Sequence, residues 1–401
     1  MHTSLSRRAA RAILALLCAS LVCTPTPPQR ASAADSRQWQ FSGIEGADVN
    51  AIAVSPADSN VIFAGVGAEH GWSGVYKSID GGKTWQNMSF GITSYALAID
   101  PSKPNIIYSG DFNTMRKSAD GGANWVELPG TGISSPQAIV IDPASPQTVY
   151  VGVGNGWGIY KSTAGGTAWA QLIGSQYVTS LAIDPANTQT LYAGTIDYNQ
   201  TPGGVLKSAN GGASWTDVLT STRINALAVD PQNSAVVYAG SEGGGVLKSS
   251  NGGASWSPVN SGLTHTTVRA LAIDPTNPQV LYAGTWEGGV FRSADGGASW
   301  GSLSTGLAPP YVLSLAIDPR EPGTIYAGVQ EGGIFKLPAV YAVSGQVSDD
   351  AGTPLAGVTI SDGRGNSATT DAGGNYTLGG LPSGAVTITP SRIGYSFAPR
   401  T

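Results

Sequence analysis

The stretch SADGGASW, Ser293–Trp300, decides the fold. It has the chemistry of a tight hairpin. The aspartate can accept N–H bonds across its own turn, the paired glycines reach positive φ, and the tryptophan is a large apolar plug for a neighbouring sheet. The same wording stands at five other places: SIDGGKTW (Ser78–Trp85), SADGGANW (Ser118–Trp125), STAGGTAW (Ser162–Trp169), SANGGASW (Ser208–Trp215) and SSNGGASW (Ser249–Trp256). Each follows a short apolar run ending in a basic residue and a serine. Upstream lie an alternating segment and a Tyr-Ala-Gly segment.

The prolines that close the first segment of each unit are Pro56, Pro101, Pro143, Pro185, Pro231, Pro275 and Pro319, with gaps of 45, 42, 42, 46, 44 and 44 residues. Seven units of this length, with several short alternating strands and no helical period, predict an all-β chain folded as a seven-bladed β-propeller. Four strands are expected per unit, in the sixth over Val268–Ile273, Val280–Gly284, Val290–Ser293 and from Trp300 onward. The seventh unit has no hairpin motif, since Lys336 runs into Leu337-Pro338. Trp39-Gln40 matches Trp85-Gln86, so the segment Arg37–Phe41 is expected to supply the outer strand of blade seven and close the ring.

Six copies at regular spacing resemble the Asp-box, or BNR, repeat of the sortilin and xyloglucanase-like propellers. The resemblance implies a structural role for Asp80, Asp120, Asn210, Asn251 and Asp295. Asparagine can make the same turn bonds as aspartate, whereas Ala164 cannot, so blade three should have the loosest box. The recurring basic residue before the box (Lys77, Lys117, Lys161, Lys207, Lys248, Arg292 and Lys336) is read as structural too.

The ends of the chain read differently. Arg7, Arg8 and Arg11 precede an apolar run, Ala12–Cys23, and an Ala31-Ser32-Ala33 ending, the pattern of a signal peptide over residues 1–33. The apolar run is too short to span a bilayer. Cleavage after Ala33 would remove both cysteines and four arginines, taking the formal charge from −5 to −9. An acidic exported protein lacks the clustered cations that nucleic acid requires. Charged residues make up only 12% of the chain and apolar ones 41%, which suits buried strands and short polar turns. The propeller is expected over residues 34–338, as a monomer.

From about Tyr341 the pattern changes. Ser344-Gly345-Gln346-Val347, Pro354-Leu355-Ala356-Gly357-Val358, Gly374-Asn375-Tyr376 and Gly394-Tyr395-Ser396-Phe397 resemble the carboxypeptidase regulatory-like, immunoglobulin-type sandwich. The expected module spans 341–401. The resemblance implies a non-catalytic spacer or adhesion unit with a further strand after the Gly-Tyr-x-Phe-x-Pro stretch, whereas this chain stops at Thr401.

The non-repeating residues are where function is sought. With four strands per blade, the box turns and Asp-Pro turns share one face. The loops between strands two and three, and the connections between blades, share the other. That second face carries Glu69, His70, Trp72, Asp111, Asp197, Tyr198, Asn199, Trp157, Glu242, Trp286 and Glu287. Arg223, His265 and Tyr311 come from connections, and Arg269 stands at the top of an inner strand. Trp72, Trp157, Tyr198, Trp286, Glu287, Arg223 and Arg269 are the candidate ligand contacts, because aromatic faces beside carboxylates and amides suit sugars. No metal-ligand spacing is present, and no cofactor is expected.

Two enzyme families share the repeat. Sialidases need an arginine triad and an Arg-Ile-Pro motif, which this chain lacks. Xyloglucan-degrading hydrolases join two propellers and place a catalytic aspartate in a Thr-Asp-x-Gly-Gly turn, where this chain reads Thr285-Trp286-Glu287-Gly288-Gly289. A two-carboxylate mechanism would have to use Glu242 or Glu287 against Asp111 or Asp197. The photosystem II assembly factors, also single seven-bladed rings, carry an arginine patch that is missing here. The favoured reading is a non-catalytic secreted module that binds a polysaccharide or a cell-surface protein. The alternatives are a glycoside hydrolase and an assembly factor.

Overall fold

The computed structural model describes residues 35 and 37–397, apart from 68–70, 90–92, 130–132, 198–202, 350 and 383, together with Thr24–Pro25. The rest of the expected signal peptide lies outside these residues. Thr24–Pro25 pairs with Tyr341–Ala342, an arrangement open only to an uncleaved chain. The described residues contain no helix, and two compact units are present, residues 29–337 and a C-terminal unit beginning at Pro338.

The first unit holds seven antiparallel four-stranded sheets. The inner strands are Val49–Val54, Ala96–Ile99, Pro136–Ile141, Tyr177–Ile183, Ile224–Val229, Val268–Ile273 and Val312–Ile317. They contact one another in cyclic order, the last returning to the first, so the ring is closed. Second strands are continuous buried runs such as Leu281–Thr285 and Ile325–Val329, as expected for sheets covered on both faces. Blade seven takes its outer strand from Gln40–Gly43, which starts three and ends two residues later than expected, with Gln40 opposite Lys336 and Phe41 opposite Phe335.

The core lies between blades. Each box tryptophan packs against an aromatic ring on the second strand of the preceding blade: Trp125 on Phe63, Trp169 on Tyr108, Trp215 on Tyr150, Trp256 on Tyr192, Trp300 on Tyr238 and Trp85 on Tyr326. A polar clasp accompanies the packing. Lys117 Nζ and the Tyr108 hydroxyl both donate to the carbonyl of Gly165 in the next box, at 2.9 and 3.1 Å. Lys161 with Tyr150, Lys207 with Tyr192, Lys248 with Tyr238 and Lys336 with Tyr326 repeat this on Gly211, Gly252, Gly296 and Gly81. Each lysine also lies over the same ring, 5.1–5.5 Å from its centroid.

The boxes show the bonding that their chemistry suggests. In blade one the Ser78 hydroxyl donates to Asp80 and accepts from Gly82 N–H, while Asp80 accepts from the amides of Lys83 and Thr84 and from the Thr84 hydroxyl. Those bonds, led by the Thr84 hydroxyl, hold the Asp80 carboxyl down to about 2. Asp120, held by the amide and side chain of Asn124, is likewise pushed down to about 2. Asn210 and Asn251 accept from the amides of Ser214 and Ser255 at 2.9 Å each. In blade three Ala164 offers no side-chain acceptor. Only the Ser162 hydroxyl and the Ala164 carbonyl bridge that turn among the described residues.

The second unit holds two small sheets. Tyr341–Gln346 pairs with Asn375–Leu381, and Thr359–Ser361 lies between Ser367–Thr369 and Thr389–Ser391. Val343, Val347, Val358, Ile360, Tyr376 and Leu378 form its core. Gly345 is required here, since a Cβ on it would lie 2.9–3.1 Å from the Tyr376 ring. Asp371 ties its turn by accepting from Gly373 and Asn375 N–H.

Candidate functional site

Backbone bonds fix which loops share a face. In blades three, five, six and seven the loop between strands two and three ties back to the connection that enters its own blade. Gly154 N–H bonds Ser135 O, Glu242 N–H bonds Arg223 O, Trp286 N–H bonds Thr267 O and Gln330 N–H bonds Tyr311 O. The loop-rich face therefore carries the candidate residues from both sources.

The inner strands also open a cavity of about 410 Å³ along the ring axis. One residue per blade, six positions before each closing proline, rings its mouth: Asn50, Tyr95, Gln137, Thr179, Asn225, Arg269 and Leu313. Two positions deeper the lining is apolar, with Ile52, Leu97, Ile139, Leu181, Leu227, Leu271 and Leu315. In six of the seven inner strands the mouth residue is the extra residue of a β-bulge, as Arg269 is between Val268 and Ala270. Several polar members of the mouth are already engaged. Asn225 donates to Val268 O at 3.0 Å, the Thr179 hydroxyl to Gly194 O and Ile224 O, and Gln137 to Ser135.

Arg269 is different. Among the described residues it is the single cation lining the cavity. Its guanidinium sits 5.3 Å from the centroid of the Trp286 ring, and Trp286 meets the Tyr311 ring at 5.0 Å with a 55° tilt. The Arg269 Nε is buried with no hydrogen-bond partner. An inner strand, a strand-two-to-three loop and a blade connection thus converge on one cluster at the channel mouth.

The other candidates do not join it. Asp111 is buried, accepts from the amides of Asn113 and Thr114 and pairs with Arg116 Nε at 3.0 Å, so it is a turn cap. Asp197 accepts from Gly203 N–H at 2.7 Å. Glu242 pairs with Arg223 at 3.2 Å. Glu287 occupies the left-handed region, φ 72°, at the turn position where Glu331 has φ 54°. Trp72 is half-buried against Tyr76. Trp157 is exposed on its turn. Tyr198, with Glu69, His70 and Asn199, lies outside the described residues. The channel ring was missed at the sequence level apart from Arg269. The signal was there, in one register position that changes chemistry from repeat to repeat.

Among the described residues no cluster of three or more His, Cys, Asp or Glu is placed to hold a metal ion, and no helix is long and apolar enough to cross a membrane.

The carboxypeptidase regulatory-like domain family matches residues 342–400. Comparison of the whole sequence with curated proteins gives no match. Solved structures are similar over most of the chain. A GH74 xyloglucanase from Xanthomonas campestris is 19% identical over 84% of this chain and 60% of its own, with a TM-score of 0.59. YCF48 bound to a D1 peptide is 16% identical over 76% of this chain and 98% of its own, with a TM-score of 0.60. The extracellular domain of the two-component system BT4673 from B. thetaiotaomicron is 16% identical over 85% of this chain and 46% of its own, with a TM-score of 0.59. The protein is an all-β propeller of the kind shared by these structures, followed by a carboxypeptidase regulatory-like domain. At such identities the likeness establishes the fold alone, and the chain spans about 60% of the xyloglucanase's length.

Proposed function

We propose that this chain is an exported, non-catalytic binding or scaffolding propeller whose loop-rich face takes a polysaccharide or a cell-surface protein. One observation carries the reading: of the four carboxylates that a hydrolase would draw on, all but Glu287 are committed elsewhere. Asp111 caps its own turn and pairs with Arg116, Asp197 holds Gly203, and Glu242 pairs with Arg223. Glycoside hydrolysis needs one carboxyl free to donate a proton and a second free to attack or to activate water. The contact residues proposed are Arg269, Trp286, Glu287, Arg223 and Trp157, with Trp72 and Tyr198 at the margin. Export is supported by the leader pattern at residues 1–33 and by the extracellular BT4673 neighbour.

The test is binding to an array of plant and bacterial polysaccharides, with release of reducing sugar measured in parallel. Binding without release supports the reading, as does silence on the array with capture of a defined cell-surface protein. Sugar release abolished by Glu287→Gln or Asp197→Asn would replace it with the hydrolase that the xyloglucanase-like fold also permits.

A further inference from the structure

We infer that the channel mouth is a binding site for a carboxylate carried on a compact apolar body, held through Arg269. The chemistry is complementary in two layers. A guanidinium with no acceptor among the described residues lines the mouth, and its buried Nε is an unsatisfied donor. That Nε is shielded from solvent, so an incoming carboxylate meets the terminal N–H groups, where arginine offers two donors in one plane. Stacking on Trp286, itself braced by Tyr311, fixes the plane of the guanidinium before any ligand arrives.

Directly below, Leu227, Leu271 and Leu315 contribute apolar side chains to a throat lining that they share with Ser180 and Ser314. A volume of about 410 Å³ is in the range of small-ligand pockets. An acid with a branched aliphatic tail satisfies both layers. A uronic acid supplies the charge but would set hydroxyls against leucine. The face of Trp286 toward Arg269 is already occupied by the guanidinium. Two sources present the required chemistry: a free short-chain acid, and the C-terminal residue of a peptide ending in leucine. The site shares Arg269 and Trp286 with the contact surface proposed above and deepens that reading by naming the chemistry of its ligand.

The experiment is calorimetric or NMR titration of the full-length mature chain with 4-methylpentanoate, 4-methylpentanol, acetyl-Gly-Gly-Leu and its C-terminal amide. The acid or the free peptide should bind, while the alcohol and the amide bind at least about tenfold more weakly. Stronger binding by one of the two carboxylates identifies the source. Arg269→Gln should abolish the preference for acid over alcohol. Leu227→Phe, which narrows the throat and leaves the guanidinium in place, should weaken both carboxylates while sparing binding of acetate. Both variants are checked against the wild-type melting temperature and strand circular dichroism, with Arg269→Lys as the conservative replacement if Arg269→Gln unfolds. Equal affinity for acid and alcohol, unchanged affinity in Arg269→Gln, or no binding by either carboxylate at millimolar concentration overturns the inference. A silent glycan array bears only on the function proposed above.

Discussion

Two junctions between blades show how one ring solves the same problem in different ways. Between blades three and four, Lys161 Nζ and the Tyr150 hydroxyl share the Gly211 carbonyl of the next box. Between blades six and seven no box is available, because the outer strand of blade seven comes from the opposite end of the chain. There Arg292 lies 3.8 Å from Asp35, and Arg37 binds Asp35, the Gly323 carbonyl and the Tyr282 hydroxyl. Although burial works against the charge, hydrogen bonding to Asp35 raises the Arg37 guanidinium further above its usual range, and Arg37 in turn holds the Asp35 carboxyl low against its own burial. Trp39 takes the place of the box tryptophan. Its Nε1 donates to Leu303 O at 2.6 Å, and the ring is buried against Tyr282. On the other side Ser42 Oγ donates to Gly82 O, and Trp85 Nε1 donates to Ser42 O. A junction repeated in tandem needs only a neutral carbonyl as its receptor. One that recruits a distant segment uses an ion pair and anchors on both flanks, since it must offset the entropy of closing the whole ring.

Breaking the special junction should have the largest effect. Trp39→Ala is expected to cost about 3–5 kcal/mol, the range for a buried tryptophan, and an unchanged denaturation midpoint would show that the N-terminal strand does not close the ring. Arg37→Ala removes the donor to Gly323 and leaves Asp35 with only Arg292, at 3.8 Å, for a partner, at a cost of about 2 kcal/mol. Lys161→Ala at the ordinary junction should cost about half of that, because Tyr150 still serves the acceptor.

The ordinary boxes can be sharpened as well as broken. Ala164→Asp restores the acceptor missing from blade three and should stabilise by about 1 kcal/mol in chemical denaturation. The same change at a box that already has its acid gives no such gain. The smallest effect is one of pH. Carboxyls held near 2 in the fold and near 3.9 in the unfolded chain add stability that is complete above about pH 5, and it is lost as pH falls through 4 towards 2. Replacing Asp80 and Asp120 with Asn keeps the acceptor oxygens, as Asn210 does. It should leave stability at pH 7 nearly unchanged and flatten the decline between pH 4 and 2, as read from melting temperature against pH.

The fold was legible because its determinants are local and repeated. A hairpin that needs two positive-φ glycines, an acceptor and an aromatic plug writes all of them within eight residues, six times over. The pairing of Gln40–Gly43 with Gly333–Leu337 could also be inferred, since the missing strand and the unmatched Trp39 each point to the other. The clasp of lysine and tyrosine on a single carbonyl was not legible. The lysines repeat visibly, but their acceptor is a backbone group 44–50 residues further on or, for Lys336, 255 residues back.

The site divides in the same way. By itself the sequence determined the seven-bladed ring, the turn chemistry, the faces on which loops fall and the presence of Arg269, Trp286 and Tyr311 on one of them. Only the tertiary structure decided that these three residues, from three separate segments, meet at a channel mouth, while Asp111, Asp197 and Glu242 are engaged by local partners. Local bonding is set by residues close in the chain. Convergence on an axis depends on where seven strands point once the ring has closed.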